Sequence, residues 1–238
     1  MNQSAFITGA SRGIGRAIAR ELAAQGYDLY LVCKNNPALL LDLQDELTQH
    51  YPVSITCFTG DVASPSFIKE CFSKIGHLDV LVNNAGISYV GLLTDMSEKD
   101  WDNVLSTNLS SAFYTARQAI PLMLKEHSGQ IINISSVTAI GSNPHGVAYG
   151  ATKAGLLSFS RSLFDEVRKY GVRVTAILPD MTDTQLYRHA DFEADPAMDA
   201  HLEAEDVADA VEYALTTRAG SCVPEIILRP QLHRIKKK

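Results

Sequence analysis

Several things this sequence lacks narrow its function before any motif is read. Only four cysteines occur in 238 residues, and Cys33, Cys57, Cys71 and Cys222 form neither a CxxC pair nor the spacing of a metal site. Cys33 and Cys57 sit in apolar runs, where cysteine behaves as a small hydrophobe. A disulfide framework and a cysteine-built metal centre are excluded, and a reducing, cytoplasmic setting is expected. Positive charge is also short: the formal net charge is -6, which leaves no electrostatic footprint for nucleic acid or an anionic membrane. The basic residues that do cluster, Arg234 with Lys236, Lys237 and Lys238, read as a solvated terminus. No apolar run reaches the roughly 18 residues of a membrane span, and no basic-then-apolar leader opens the chain. Repeats, low-complexity stretches and Pro/Gly-rich linkers are missing as well. One domain over 1–238 is expected, with a small lid near 182–200.

What is present is an ordinary globular composition, 46% hydrophobic and 20% charged. Short β-branched or apolar runs at 4–8, 28–33, 53–58, 78–82, 130–135, 172–178 and 225–228 alternate with stretches of helical periodicity. That alternation predicts an α/β fold, a doubly wound, Rossmann-like parallel sheet. Gly9, Asp61, Asn83 and Ser136 then fall at carboxyl ends of strands, where such sheets bind ligands.

The first strand runs into a glycine turn, Gly9, Ala10, Ser11, Arg12, Gly13, Ile14 and Gly15, followed by a helix. Strand, glycine turn and helix in that order suit a pyrophosphate, because glycines let backbone approach it and the helix N-terminus favours its charge. The spacing is GxxxGxG rather than the more familiar GxGxxG. The second strand ends at Cys33 and Lys34 with no acid for a ribose 2′-hydroxyl, and Arg12 is a second cation nearby. NADP(H) is therefore expected over NAD(H). Asp61 is suited either to an adenine amino group or to capping the next helix. The helical stretch from 97 to 119 is interrupted near Asn108, a poor helix-interior residue.

Tyr149 and Lys153 open the amphipathic run 151–170 four residues apart, on one face if the run is helical. An ammonium close to a phenol lowers the tyrosine pKa, which is how tyrosine comes to move protons near neutral pH.

Together the runs TGASRGIG at 8–15, Asp61 with Val62, NNAG at 83–86, Asn108, ISS at 134–136 and YGATK at 149–153 resemble the short-chain dehydrogenase/reductase family. The resemblance covers about residues 3–184. It implies a tetrad of Asn108, Ser136, Tyr149 and Lys153. Ser136 would bind the substrate carbonyl oxygen and Tyr149 would donate the proton. Lys153 would hold the nicotinamide ribose and tune the tyrosine, and Asn108 would hold a relay water. It further implies that Asn83 braces the sheet, that Asp61 and Val62 meet adenine, and that Asn84, Ala85, Gly86, Pro179 and Thr184 line the cofactor site. Two departures stand out: Asp180 follows Pro179 where the family usually has glycine, and the chain ends without the family's common Asp-Gly-Gly.

The expected activity is NADPH-dependent reduction of a small-molecule ketone or aldehyde. The alternatives are a 3-oxoacyl-(acyl-carrier-protein) reductase and, in another class, a non-catalytic nucleotide sensor. A carrier protein is acidic, so its docking face should be basic; Lys125, Arg168 and Lys169 are candidates, whereas Asp and Glu crowd 183–209. Ser88, Tyr89, Asn143, His145, Leu186 and Tyr187 are expected around the substrate, with His145 and Tyr187 touching it. The family commonly assembles as homodimers or homotetramers through helices around 101–124 and 150–170.

Overall fold

The computed structural model describes every residue except Met1, His189, Asp191 and His233. Strands β1 (Ser4–Thr8), β2 (Asp28–Cys33), β3 (Ile55–Thr59), β4 (Val80–Asn83), β5 (Gly129–Ile134), β6 (Val172–Pro179) and β8 (Glu225–Leu228) form one parallel sheet. Its order is β3-β2-β1-β4-β5-β6-β8. The chain winds outward from β1 to β3, then crosses back to β4, so the direction reverses between β1 and β4. Ligands bind such sheets in the crevice at that reversal.

Each strand shares its side chains between two layers, as a period of two requires. In β1, Ala5 and Ile7 join the core beneath helices α1 (Gly13–Ala24), α2 (Pro37–His50) and α7 (Ala204–Thr216). Phe6 points the other way, towards α3 (Pro65–Phe72), α5 (Ser111–Glu126) and α6 (Val147–Val167). The whole of β1 is buried, so it reads as a continuous apolar run.

At the sheet's centre a polar chain replaces apolar packing. Thr115 donates to Asn83 Oδ1 (2.6 Å), Asn83 donates to Asn133 Oδ1 (2.8 Å), and Asn133 donates to Ser160 Oγ (2.8 Å). It ties α5, β4, β5 and α6 together below the cavity. Asn133 is fully buried, so replacing it with alanine strips the Asn83 Nδ2 donor of its acceptor and leaves Ser160 with only its bond to Leu156 O. Asn133→Ala should lower unfolding free energy by about 2 kcal/mol, read by chemical denaturation.

α4 (Glu98–Leu105) and α5 are joined by a π-helical turn, Ser106–Ser110, whose buried residue is Asn108. The interruption expected at Asn108 is therefore an extra residue in the helix, a feature frequent at functional sites.

The basic residues of the terminus are exposed, as expected, but their segment is also paired. β9 (Ile235–Lys237) pairs antiparallel with β7 (Phe192–Ala194), inside the expected lid segment. The register sets Phe192 opposite Lys237, Glu193 opposite Lys236 and Ala194 opposite Ile235. Extended backbone needs partners for its N–H and C=O groups, and here each strand supplies them to the other. Among the described residues no helix is long and apolar enough to cross a membrane, and no group of three potential metal ligands occurs.

Candidate active site

The carboxyl ends of β1, β4, β5 and β6 enclose a cleft of about 300 Å³. At its floor the first turn and the loop after β4 lock together. Asn84 donates from Nδ2 to the carbonyls of Thr8 (2.9 Å) and Gly9 (3.2 Å). Thr8 Oγ1 in turn accepts from the amides of Asn84 and Ala85, both at 3.0 Å.

Such closeness requires glycine. A Cβ on Gly15 would stand 2.3 Å from Gly9 O, and one on Gly9 only 3.0 Å from Ala85 Cα. Gly9 (φ 68) and Gly13 (φ 51) also hold left-handed backbone. Helix α1 begins with no side-chain cap and no acid in its first turn. Its first amides are left without side-chain acceptors, which suits a bound anion such as a pyrophosphate. Of the expected cofactor residues, Gly9, Ser11, Arg12, Gly13, Ile14, Lys34, Asp61, Val62, Asn84, Ala85, Gly86, Pro179 and Thr184 line the cleft; Gly15 closes the turn behind it.

Lys34 does not stand alone. Its ammonium pairs with Asp61 across the ends of β2 and β3. Asp61 also accepts from the Ala63 amide at 2.9 Å. These bonds outweigh partial burial and hold its carboxyl below the usual range. Helix α3 is capped instead by Ser64. Arg12 lies across the cleft mouth, within 3.4 Å of Gln185 Oε1. Partial burial and the charge of Arg188 pull the Arg12 pKa down.

Deeper in, Ser136, Tyr149 and Lys153 face one space. Tyr149 falls inside the first turn of α6, which starts at Val147 rather than at 151. The Ser136 side chain faces the Tyr149 phenol and opposes the rise in its pKa. Ser135 is turned away, donating to Lys153 O at 2.9 Å. Lys153 Nζ donates to Ile134 O (2.7 Å) and lies 5.6 Å from the Tyr149 ring centre.

The expected lowering of the tyrosine pKa is not what this arrangement gives. Burial pushes Tyr149 well above its ordinary value, the nearby Tyr187 phenol adds to the rise, and Ser136 only partly opposes it. Lys153 is itself brought down to about 8 by burial. Its ammonium serves a backbone carbonyl, so desolvation prevails at the phenol.

Asn108 acts on the backbone. Its Oδ1 accepts from the Ile87 amide (2.8 Å), while Nδ2 donates to Ile87 O (2.9 Å) and Thr152 Oγ1 (3.2 Å). Its side-chain amide is thus engaged in holding the loop after β4 against the first turns of α6.

Of the expected substrate residues, Ser88, Leu186 and Tyr187 line the cleft. His145 does not: it is exposed, holds φ 62, and its carbonyl accepts from Gly91 N. Tyr89 and Asn143 also lie off the lining. Tyr187 is pushed up to about 12, by burial and by Asp180. Asp180, where glycine was expected, accepts from the Met181 amide (2.8 Å) and lies 3.8 Å from Arg229. Arg188 was missed by sequence reasoning because only the fold brings it opposite Arg12.

A parallel sheet wound both ways, with a glycine turn and a tyrosine-lysine pair meeting at its reversal, defines a class of nucleotide-dependent oxidoreductases. The short chain dehydrogenase family model matches residues 3–194, and the chain belongs to that family. An uncharacterized oxidoreductase of Staphylococcus epidermidis is 36% identical over 230 residues, 95% of this chain and 96% of that one. The 3-oxoacyl-(acyl-carrier-protein) reductase FabG of Staphylococcus aureus is 41% identical over 192 residues, 77% of this chain and 78% of the relative. In structure, an alcohol dehydrogenase of the archaeon Thermococcus sibiricus, complexed with 5-hydroxy-NADP, superposes with a TM-score of 0.90 at 28% identity. That superposition covers 98% of this chain and 99% of the other. The protein is an oxidoreductase of the short-chain dehydrogenase/reductase type.

Proposed function

We propose that the protein reduces a small ketone or aldehyde with NADPH. The observation that carries this reading is the convergence of Ser136, Tyr149 and Lys153 on the cleft that the uncapped α1 N-terminus also faces. When bound, the nicotinamide cofactor supplies the hydride to the carbonyl carbon. The turn 9–15 and the α1 amides hold its pyrophosphate, Asp61 and Val62 meet the adenine, and Lys153 reaches the nicotinamide ribose. Ser136 donates a hydrogen bond to the substrate carbonyl oxygen. As charge grows on that oxygen, Tyr149 gives up its proton and the alcohol leaves. The phenol, raised by burial, is protonated at neutral pH, the form in which it can donate to the reduced oxygen. Asn108 contributes by position, holding the Ile87 loop against α6. Tyr187 forms the substrate side of the pocket, on the segment that serves as its lid.

NADPH preference is supported by Arg12 at the cleft mouth and by the absence of an acid after β2. Lys34 contributes less because Asp61 already pairs with it. Arg12→Ala should weaken NADPH binding about tenfold, the worth of one charge-assisted hydrogen bond. NADH binding should be nearly unchanged. Fluorescence titration of both cofactors checks this, and equal losses for the two would assign Arg12 to the shared pyrophosphate instead.

Reduction of 3-oxoacyl groups on a carrier protein is the second reading, favoured by the 41% identical Staphylococcus aureus relative. The basic candidates do not help it. Lys125, Arg168 and Lys169 lie at the C-terminal ends of α5 and α6, whereas Tyr149 lies at the N-terminal end of α6. Most of the 21-residue helix α6 separates Tyr149 from Arg168 and Lys169, on the order of 30 Å at 1.5 Å per residue. Arg168 also pairs with Asp165. A panel of diketones, ketones, sugars and acetoacetyl thioesters discriminates: turnover of diketones without thioesters supports the general reductase, and the reverse supports the second reading.

A further inference from the structure

We propose that the C-terminal strand β9 is a latch that holds the pocket-wall segments Gln185–Tyr187 and Phe192–Ala194 in place, with Lys238 as its positioning residue. That wall is gripped from two sides. On the cleft side, Ser88 Oγ donates to Leu186 O (2.9 Å) and Arg12 reaches Gln185 (3.4 Å). On the outer side, Lys238 Nζ donates to three carbonyls in succession: Tyr187 (3.3 Å), Arg188 (3.2 Å) and Ala190 (3.1 Å). An ammonium has three N–H groups, so all are engaged, at carbonyls where the Gln185–Tyr187 turn runs out.

The rest of the tail reinforces this grip. β9 pairs with β7, Lys236 lies 3.5 Å from Glu193, and Leu232 N donates to Asp199 O at 2.7 Å. From β7 the contact passes inward: the rings of Phe192 and Tyr187 are 5.3 Å apart, and Tyr187 acts electrostatically on Tyr149. A two-stranded ribbon is marginal by itself, and exposed ion pairs add little. The latch therefore opens locally, far below the cost of unfolding the sheet. Substrate enters when β9 is off, and Tyr187 is returned to its place when β9 docks.

The claim rests on the reductase reading only for its kinetic consequence, so the deciding measurement is independent of activity. Hydrogen–deuterium exchange is followed in the full chain, in Lys238→Ala and Lys238→Arg, and in a chain lacking residues 235–238. Amides of 185–187 and 192–194 should exchange about tenfold faster in the alanine variant and the shortened chain, with β1, β4 and β5 unchanged. Lys238→Arg, which keeps the charge and donors, should stay near the parent. With any carbonyl that is turned over, Lys238→Ala should raise KM several-fold with kcat within about twofold. Unchanged exchange at 185–187 and 192–194 in the shortened chain would overturn the latch. So would an equal acceleration throughout the sheet, which would make the tail part of the core. If no carbonyl is reduced, the reductase reading fails while the exchange result still decides the latch.

Discussion

Tyr149→Phe should lower kcat by about 10³-fold, within the usual worth of a positioned proton donor. The substitution removes one oxygen from a phenol that is almost wholly buried and faces Ser136. The ring and its packing in the first turn of α6 are kept. Ser136 can still accept from the Thr138 amide, as it already does at 3.2 Å. Deleting a buried polar atom while its partner keeps another bond costs little stability, so the melting temperature should be nearly unchanged. NADPH affinity should stay within about twofold, because Lys153 and the glycine turn are untouched. Single-turnover kinetics with NADPH titration separates the two effects. Turnover surviving in this variant would remove Tyr149 as the donor.

Lys153→Met should cost about a hundredfold in kcat/KM, since it removes the ammonium expected to bind the ribose and shape the site's field. Its second signature is in stability. Lys153 titrates near 8 in the folded chain against an ordinary 10.5. Between those values the unfolded chain holds more protons, so this group makes stability rise with pH across that window. Methionine abolishes the rise. Cys57 and Cys71, both raised to about 11 by burial, act in the opposite direction above their ordinary 9.0. They are common to both proteins and cancel in the difference. The gap between variant and parent, measured by denaturation from pH 7 to pH 10, should therefore shift steadily in the parent's favour. A pH-independent gap would mean that Lys153 keeps its ordinary affinity for the proton. Its buried bond to Ile134 O would then have compensated the desolvation.

The sheet was readable because its strands are short apolar runs punctuated by turn residues. β1, β2 and β8 occur at the expected residues, and the others within a few. The Asn108 interruption was readable because asparagine sits poorly inside a helix, although its form, a π-helical turn, was not. Much of what remained is long-range. β9 contains one apolar residue between polar neighbours, and its partner β7 lies some forty residues away in the chain. Asn133 looks like a defect in an apolar strand until Asn83 and Ser160 are brought to it. The burial that raises Tyr149 is a property of the assembled pocket, while Lys153 four residues on is visible in sequence; the expectation took the local neighbour and missed the larger effect. His145 lies four residues before Tyr149 yet turns outward, because a left-handed residue redirects the chain.

The central claim is that this cleft passes hydride to a carbonyl and a proton from Tyr149 to the resulting oxygen. Its most direct test is NADPH consumption by the wild-type protein with and without each carbonyl of the panel, beside a titration of NADPH binding. Carbonyl-dependent consumption, absent in Tyr149→Phe although that variant binds NADPH, is the expected result. Tight NADPH binding with no carbonyl accelerating its consumption would contradict the claim and leave a protein that senses the nucleotide without using it.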